Sequence, residues 1–276
     1  MTRVAVSGAG GQLGIELVRA LTMAGAMVLP LVRPGFDLEG AKPERALENL
    51  RTDIVINAAA WTDVDACARD PQRATAINGA AVGRLAGGAE QMGARFVQIS
   101  TNEVFDGASK WAYQEDDEPH PINAYGASKL VGERAARVAA PGATIVRTAW
   151  IYGGPRSFPT KIRAAAQRAA GEGAPLRVVA DEVGNPTPAA LLADRIVALL
   201  LGQLPWPPII HLAGEPAASR HDWAARILSE SGFEPPQPMK LREYVRASLP
   251  PLHAVLSTGL SVRLGLERID WRSDPG

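Results

Sequence analysis

The sequence predicts an α/β protein: a doubly wound parallel sheet with a smaller C-terminal lobe. Three observations carry that prediction. A short apolar strand at the N-terminus runs straight into a glycine-rich turn and then a helix. Buried-strand runs alternate with helical runs from Val4 to Trp150, the pattern of strand–crossover–strand units in a parallel sheet. Tyr125 and Lys129, one helical turn apart, follow a strand that ends in two hydroxyls.

Composition narrows the function classes. The 276 residues are 46% hydrophobic and 21% charged, enough for one large domain or two smaller ones with a sizeable core. A formal net charge of zero gives no general attraction to nucleic acid or to an anionic membrane. No apolar run reaches the ~18 residues that span a bilayer. The apolar start at Val4 is broken by glycines, unlike a secretory signal. The single cysteine, Cys67, excludes an internal disulfide framework and fits a reducing cytoplasm. It reads as a small packing residue. His120, His211, His221 and His253 lack ligand spacing, so no metal is expected.

Val4–Ser7 reads as a buried strand, followed by Gly8-Ala9-Gly10-Gly11-Gln12-Leu13-Gly14 and a helix from Ile15. Glycines at 8, 11 and 14 suit a tight turn, close backbone approach to a pyrophosphate, and amides at a helix N-terminus facing the anion. A dinucleotide is the expected ligand. The second strand, Met27–Val32, ends at Arg33, where an acidic residue would bind the adenosine ribose of NAD. Arg33 can instead pair with the 2′-phosphate of NADP, or stand as a surface charge; Asp37 can face the adenine end.

Asp53–Ala60 is a further strand, and its small final residues let a flat cofactor lie against the backbone. A helix containing Cys67 follows. Asn78 leads into another helix, Gly79 to Met92; it can orient a cofactor, though a helix cap is the simpler expectation. The strand Ala94–Thr101 places Ser100 and Thr101 at the carboxyl edge, where parallel sheets put their chemistry. The loop 108–123 crosses to the helix that carries Asn123-Ala124-Tyr125-Gly126-Ala127-Ser128-Lys129.

An ammonium close to a phenol stabilises the phenolate and lowers its pKa from ~10. Lys129 would so make Tyr125 a usable general acid or base. With only five lysines against 24 arginines, the lysine is not casually placed, and an arginine's planar fork suits other work. Thr144–Trp150 is the next strand and brings an aromatic to the same edge.

Beyond it, a helix from Ser157 to about Ala170, a strand Leu176–Val179 and the turn Gly184–Pro188 precede a helix Ala189–Leu201. Ile209–Leu212 is expected to rejoin the main sheet. Helices at Arg220–Ser231, Arg242–Ala247 and Thr258–Leu264, joined by Pro-rich links, complete a lobe that closes over the strand ends. The expected partition is a Rossmann-type dinucleotide-binding domain at 1–152, with a returning segment at about 189–214. Segments 153–188 and 215–276 form the substrate-binding lobe.

The segments GAGGQLG, INAAAWTDVDACARDP, ISTNEVFDG, NAYGASKLVGE, IVRTAWIYG, DEVGNPTPAALLAD and IIHLAGEP stand in family order from Arg3 to about Trp223. Through them the chain resembles the dTDP-4-dehydrorhamnose reductases, in the extended branch of the short-chain dehydrogenase/reductase superfamily. The resemblance implies reduction of a dTDP-linked 4-keto-6-deoxy sugar by NADPH, with NADH possible. It implies Thr101, Tyr125 and Lys129 as the catalytic set, with Tyr125 donating the proton and Lys129 also holding the nicotinamide ribose. It places Gly8, Gly11, Gln12, Leu13, Asp37, Leu38, Ala59, Ala60 and Thr62 on the cofactor. Val64 and Trp150 face the sugar, together with Thr101 and Asn102. A monomer or homodimer is expected.

Two departures fall on the sugar side. The family reads S-T-D-Y-V-F-D-G where this chain has Asn102 and Glu103 in the middle, losing a pocket-lining tyrosine. The family's C-terminal R-P-x-x-S-x-L-D is scarcely retained in Leu249–Ser257. Of the glutamates that bridge a magnesium-linked dimer in some members, only Glu16 has a counterpart. Two other readings use the same residues: a nucleotide-sugar epimerase or other ketoreductase of this branch, and a non-catalytic NADP-binding subunit like the regulatory subunit of methionine adenosyltransferase.

Overall fold

A computed structural model describes residues 1–274. Its centre is a six-stranded sheet built from β1 (Arg3–Ser7), β2 (Met27–Leu31), β3 (Ile54–Asn57), β4 (Arg95–Thr101), β5 (Thr144–Thr148) and β6 (Ile209–His211). Every pairing is parallel, and the spatial order is β2-β1-β3-β4-β5-β6. The chain therefore builds outward from β1 in one direction, then returns and builds in the other. Val4 faces Val28 on one side and Ile54 on the other. The carboxyl ends of β1 and β3 flank the point where the winding reverses, which opens a crevice in such sheets.

Helices cover both faces because the strands are apolar on both. On one face α1 (Gln12–Met23) and α7 (Ala189–Leu201) bury Leu17, Leu21, Leu192 and Ile196 against Val4, Val6 and Ile56. Full burial of one such leucine contributes about 1.5–3 kcal/mol. On the other, α4 (Ala81–Gln91) and α5 (Ala124–Ala139) pack Leu85, Ala86 and Ala136 on Val55, Phe96 and Ile145. Between β3 and α4 lie the short helices α2 (Val64–Arg69) and α3 (Pro71–Thr75). The smaller lobe has its own core, in which α6 (Phe158–Glu172) and α8 (Arg220–Glu230) enclose Tyr152, Ile162, Trp223, Ile227 and Trp271.

Two expected elements differ. Helix Arg242–Ala247 is a single 3-10 turn, Leu241–Glu243: the Glu243 and Tyr244 amides close back on the Lys240 and Leu241 carbonyls, and beyond them Tyr244 and Val245 are exposed. Asn78 caps nothing: it lies inside a π-helical turn, Ala76–Ala80, that joins α3 to α4. The widened turn suits a side chain used elsewhere. Asn78 Oδ1 accepts from the Trp61 amide at 2.8 Å, and Nδ2 donates to the Trp61 carbonyl and to Ser128 Oγ, each at 3.0 Å.

A buried polar cluster ties β4, β5 and α5 together. The Arg147 guanidinium pairs with Glu133 at 2.8 Å, with side chains only 2% and 4% exposed. Ser100 Oγ donates to Glu133 Oε1 at 2.5 Å. His211 lies fully buried, edge-on to Phe105, and burial, helped by Arg147, holds its imidazole down at about 3. An unfolded chain takes up a proton near ~6.5 that the native His211 refuses, so stability falls as pH drops below that value. The loss reaches at most about 1.4 kcal/mol per pH unit. Calorimetric melting between pH 7 and 5 should show this slope in the wild type and a flatter one in His211→Asn; equal slopes would assign the loss to other groups.

Candidate active site

The reactive end of the sheet is built where β4 stops. Thr101 caps the 3-10 turn Asn102–Val104, its Oγ1 accepting from the Glu103 amide at 3.2 Å. Asn123 then starts α5 by accepting from the Gly126 amide at 2.8 Å, which puts Tyr125 in the first turn and Lys129 one turn further on. Gly126 lets the helix rest on that turn; a Cβ there would collide with the carbonyl oxygen of Glu103. Thr101 and Tyr125 are thereby brought together, and their hydroxyls share a hydrogen bond.

Lys129 is buried and its Nζ donates to the Ile99 carbonyl at 2.7 Å. Burial brings its pKa down to about 8, with the charge of Glu133 acting the other way. The Tyr125 phenol does not move as its neighbour on the helix predicts. Burial, then the charges of Glu103 and Cys67, raise its pKa above the ordinary tyrosine value, and only the Thr101 hydrogen bond opposes them. Desolvation outweighs the ammonium because Lys129 is aimed at Ile99. A phenol kept protonated at neutral pH is a proton donor, which suits reduction of a carbonyl better than oxidation of an alcohol.

The crevice beside this set is shaped for a dinucleotide. Gly8 takes φ +69°, and a Cβ there would stand 2.7 Å from the Ala59 amide nitrogen. A Cβ at Gly14 would strike the Gly8 carbonyl. The Gly11 amide closes the turn on Gly8 O at 2.8 Å, and no side chain caps α1 at Gly11. The first-turn amides thus face the crevice without a side-chain partner, as a pyrophosphate requires. Gln12 Nε2 is buried without a partner among the described residues, an orphaned donor at the same turn.

Ala59 and Ala60 are half-buried at the end of β3, and Thr62 is exposed beyond them. Leu13 and Leu38 lie in the core, 6% and 4% exposed. At the adenosine end Arg33 and Asp37 form an exposed ion pair at 3.1 Å. Arg33, read from sequence as a partner of the 2′-phosphate or a surface charge, is thus exposed and held by Asp37, the residue expected at the adenine end.

On the other side of the crevice, Val64 begins α2, half-buried behind its Asp63 cap. Trp150 has φ +42° and carries the Arg220 guanidinium over its ring at 3.5 Å. Part of the flat surface expected for a sugar is thus taken by a cation–π contact within the protein. Asn102 is turned inward, its amide donating to the Ala254 carbonyl at 2.9 Å. Sequence reasoning passed over Asn123, whose signal was its position just ahead of the helix. It also gave no role to Glu182, Arg220 and Arg246, which reach the site from distant segments and left no local pattern.

A family model described as the RmlD substrate binding domain matches residues 2–275. A dTDP-4-dehydrorhamnose reductase of Mycolicibacterium smegmatis is 37% identical, over 98% of this chain and 83% of its own length. Among solved structures, the dTDP-4-dehydrorhamnose reductase of Clostridium acetobutylicum gives a TM-score of 0.92 at 30% identity, covering 99% of this chain and 96% of that one. That of Bacillus anthracis, solved in complex with NADP, gives 0.90 at 28% identity, covering 100% and 98%. A doubly wound sheet with a tyrosine–lysine helix beside its switch point makes an NAD(P)-dependent oxidoreductase of the extended short-chain class. Within that class, the chain belongs to the dTDP-4-dehydrorhamnose reductase family.

Proposed function

We propose that this chain reduces dTDP-4-dehydro-L-rhamnose to dTDP-L-rhamnose, with NADPH as the preferred reductant and NADH as a possible one. The observation that carries the reading is the meeting of Thr101 and Tyr125, with Lys129 behind them, at the carboxyl end of β4 beside the glycine turn. When bound, the reduced nicotinamide supplies a hydride to C4 of the sugar. The Thr101 hydroxyl holds the C4 carbonyl oxygen, and Tyr125 gives its proton to the alkoxide that develops there. Two donors aimed at the oxygen where charge appears stabilise the transition state more than the ground state. Lys129 holds the nicotinamide ribose and keeps positive charge beneath the phenol.

Gly8, Gly11, Gln12 and Leu13 take the pyrophosphate with first-turn amides; Ala59, Ala60 and Thr62 line the cofactor's path. Arg33 engages the 2′-phosphate once released from Asp37, while Asp37 and Leu38 stand at the adenosine. Val64 and Trp150 flank the sugar. Residues 1–152 with the return at about 189–214 form the dinucleotide-binding domain; 153–188 and 215–276 form the substrate lobe. Among the described residues no helix is long and apolar enough to cross a membrane, and we place the protein in the cytoplasm as a monomer or homodimer.

The test is a coupled assay in which an epimerase supplies the 4-keto sugar, followed by NADPH absorbance and product NMR. Loss of NADPH with rhamnose as product is expected. The C4 epimer as product would mean that the sugar binds with its other face to the cofactor. Turnover of a different 4-keto sugar nucleotide alone would sink the rhamnose assignment, and product without NADPH loss would mark an epimerase.

A further inference from the structure

Glu103 replaces a family tyrosine and is fixed more firmly than a chance surface acid. Its amide is held by Thr101 Oγ1, and its carbonyl oxygen lies under Gly126. Its carboxyl accepts from Asn123 Nδ2 at 2.7 Å through Oε2, and the half-buried residue leaves Oε1 without a hydrogen bond among the described residues. Asn123 itself is anchored twice more, to the Gly126 amide at 2.8 Å and to the Leu249 carbonyl at 3.1 Å. From the lobe side Glu182, Arg220 and Arg246 face the carboxyl, and from the sheet side Tyr125 and Cys67 do. Burial raises its pKa. The Glu103 carboxyl, with one oxygen unpaired, is therefore anchored to the residue that caps the Tyr125 helix and lies within electrostatic reach of the Tyr125 phenol.

Carbohydrate chemistry then identifies what that oxygen meets. In a 4-keto-6-deoxy hexose, C4 has two neighbours. C5 carries the ring oxygen and the methyl group, whereas C3 carries a hydroxyl. The C3 hydroxyl is thus the one hydrogen-bond donor next to the carbonyl. We propose that Glu103 is a specificity residue, pairing through Oε1 with the substrate hydroxyl adjacent to the reacting carbonyl. This rests on the reductase reading above. A site that pairs a buried polar group with a substrate hydroxyl rejects the analogue lacking it, because that group is left unpaired.

The experiment compares a dTDP-linked 4-keto-6-deoxy hexose with its 3-deoxy counterpart, following NADPH oxidation. The wild type should favour the hydroxylated sugar by roughly tenfold to a hundredfold in kcat/KM. Glu103→Met should bring the ratio near one with NADPH affinity unchanged, and Glu103→Gln, whose amide still pairs with a hydroxyl, should retain most of it. Glu103→Leu is the second variant should the methionine chain not fold. A wild-type ratio near one, or an unchanged ratio in either folded apolar variant, would leave Glu103 as a structural clasp for Asn123 and overturn the proposal. Failure of the wild type to oxidise NADPH with either sugar would instead bring down the reductase reading and this inference with it.

Discussion

Tyr125→Phe should lower kcat by about 10²–10⁴ and leave NADPH binding as in the wild type. The ring stays in place on α5, so packing and cofactor contacts persist, while the proton donor and its hydrogen bond with Thr101 are removed. Lys129→Met should damage both rate and cofactor affinity, since its ammonium is assigned to both. The pKa of about 8 at Lys129 adds a pH signature. Its charge is present below that value and lost as pH rises through it, so kcat/KM should fall on the alkaline side near 8. Stopped-flow single turnover and fluorescence titration separate the two effects. A Tyr125→Phe enzyme that kept most of the wild-type kcat would remove Tyr125 from the chemistry.

Arg147→Met should cost about 3–5 kcal/mol of stability, because it strands the Glu133 carboxylate in the interior. At about 2–4 °C per kcal/mol for a chain of this size, Tm should drop by roughly 6–20 °C. Replacing both partners, Arg147→Met with Glu133→Leu, should recover most of that loss, since the pair owes little net stability to its own attraction once desolvation is counted. Differential scanning calorimetry on the two variants decides. A loss below about 1 kcal/mol in the single variant would mean that water reaches Glu133. The effect bears on activity too, because Glu133 lies one turn beyond Lys129 and bonds Ser100, the neighbour of Thr101.

Most of the parallel sheet was legible because its strands are apolar on both faces and short glycine turns punctuate them. The alternation of strand and helix up to Trp150 follows from that pattern, as does the return of Ile209–His211 to the sheet. The glycine turn was legible as well: Gly8 and Gly14 sit where any side chain would meet backbone. Other features are set by non-local contacts and were not. The raised pKa of Tyr125 depends on burial and on Glu103, and helical spacing reports only that Lys129 is near. Arg220 reaches Trp150 from a segment 70 positions later, which no local pattern encodes. Asn78 looked like a helix cap because capping is local chemistry, whereas its partners Trp61 and Ser128 come from two other elements.

That last contact joins two parts of the site that the chain order keeps apart. Trp61 belongs to the segment leaving β3, and Ser128 sits between Tyr125 and Lys129 on α5. One asparagine grips the backbone of the first through both its amide and its carbonyl, and the hydroxyl of the second. The segment after β3 has the look of a loop, yet it cannot swing outward without surrendering two hydrogen bonds to Asn78, the residue that also holds Ser128 on α5. Cooperative unfolding therefore treats that loop and the tyrosine helix as one unit, so that local breathing of the loop disturbs Tyr125 and Lys129 as well.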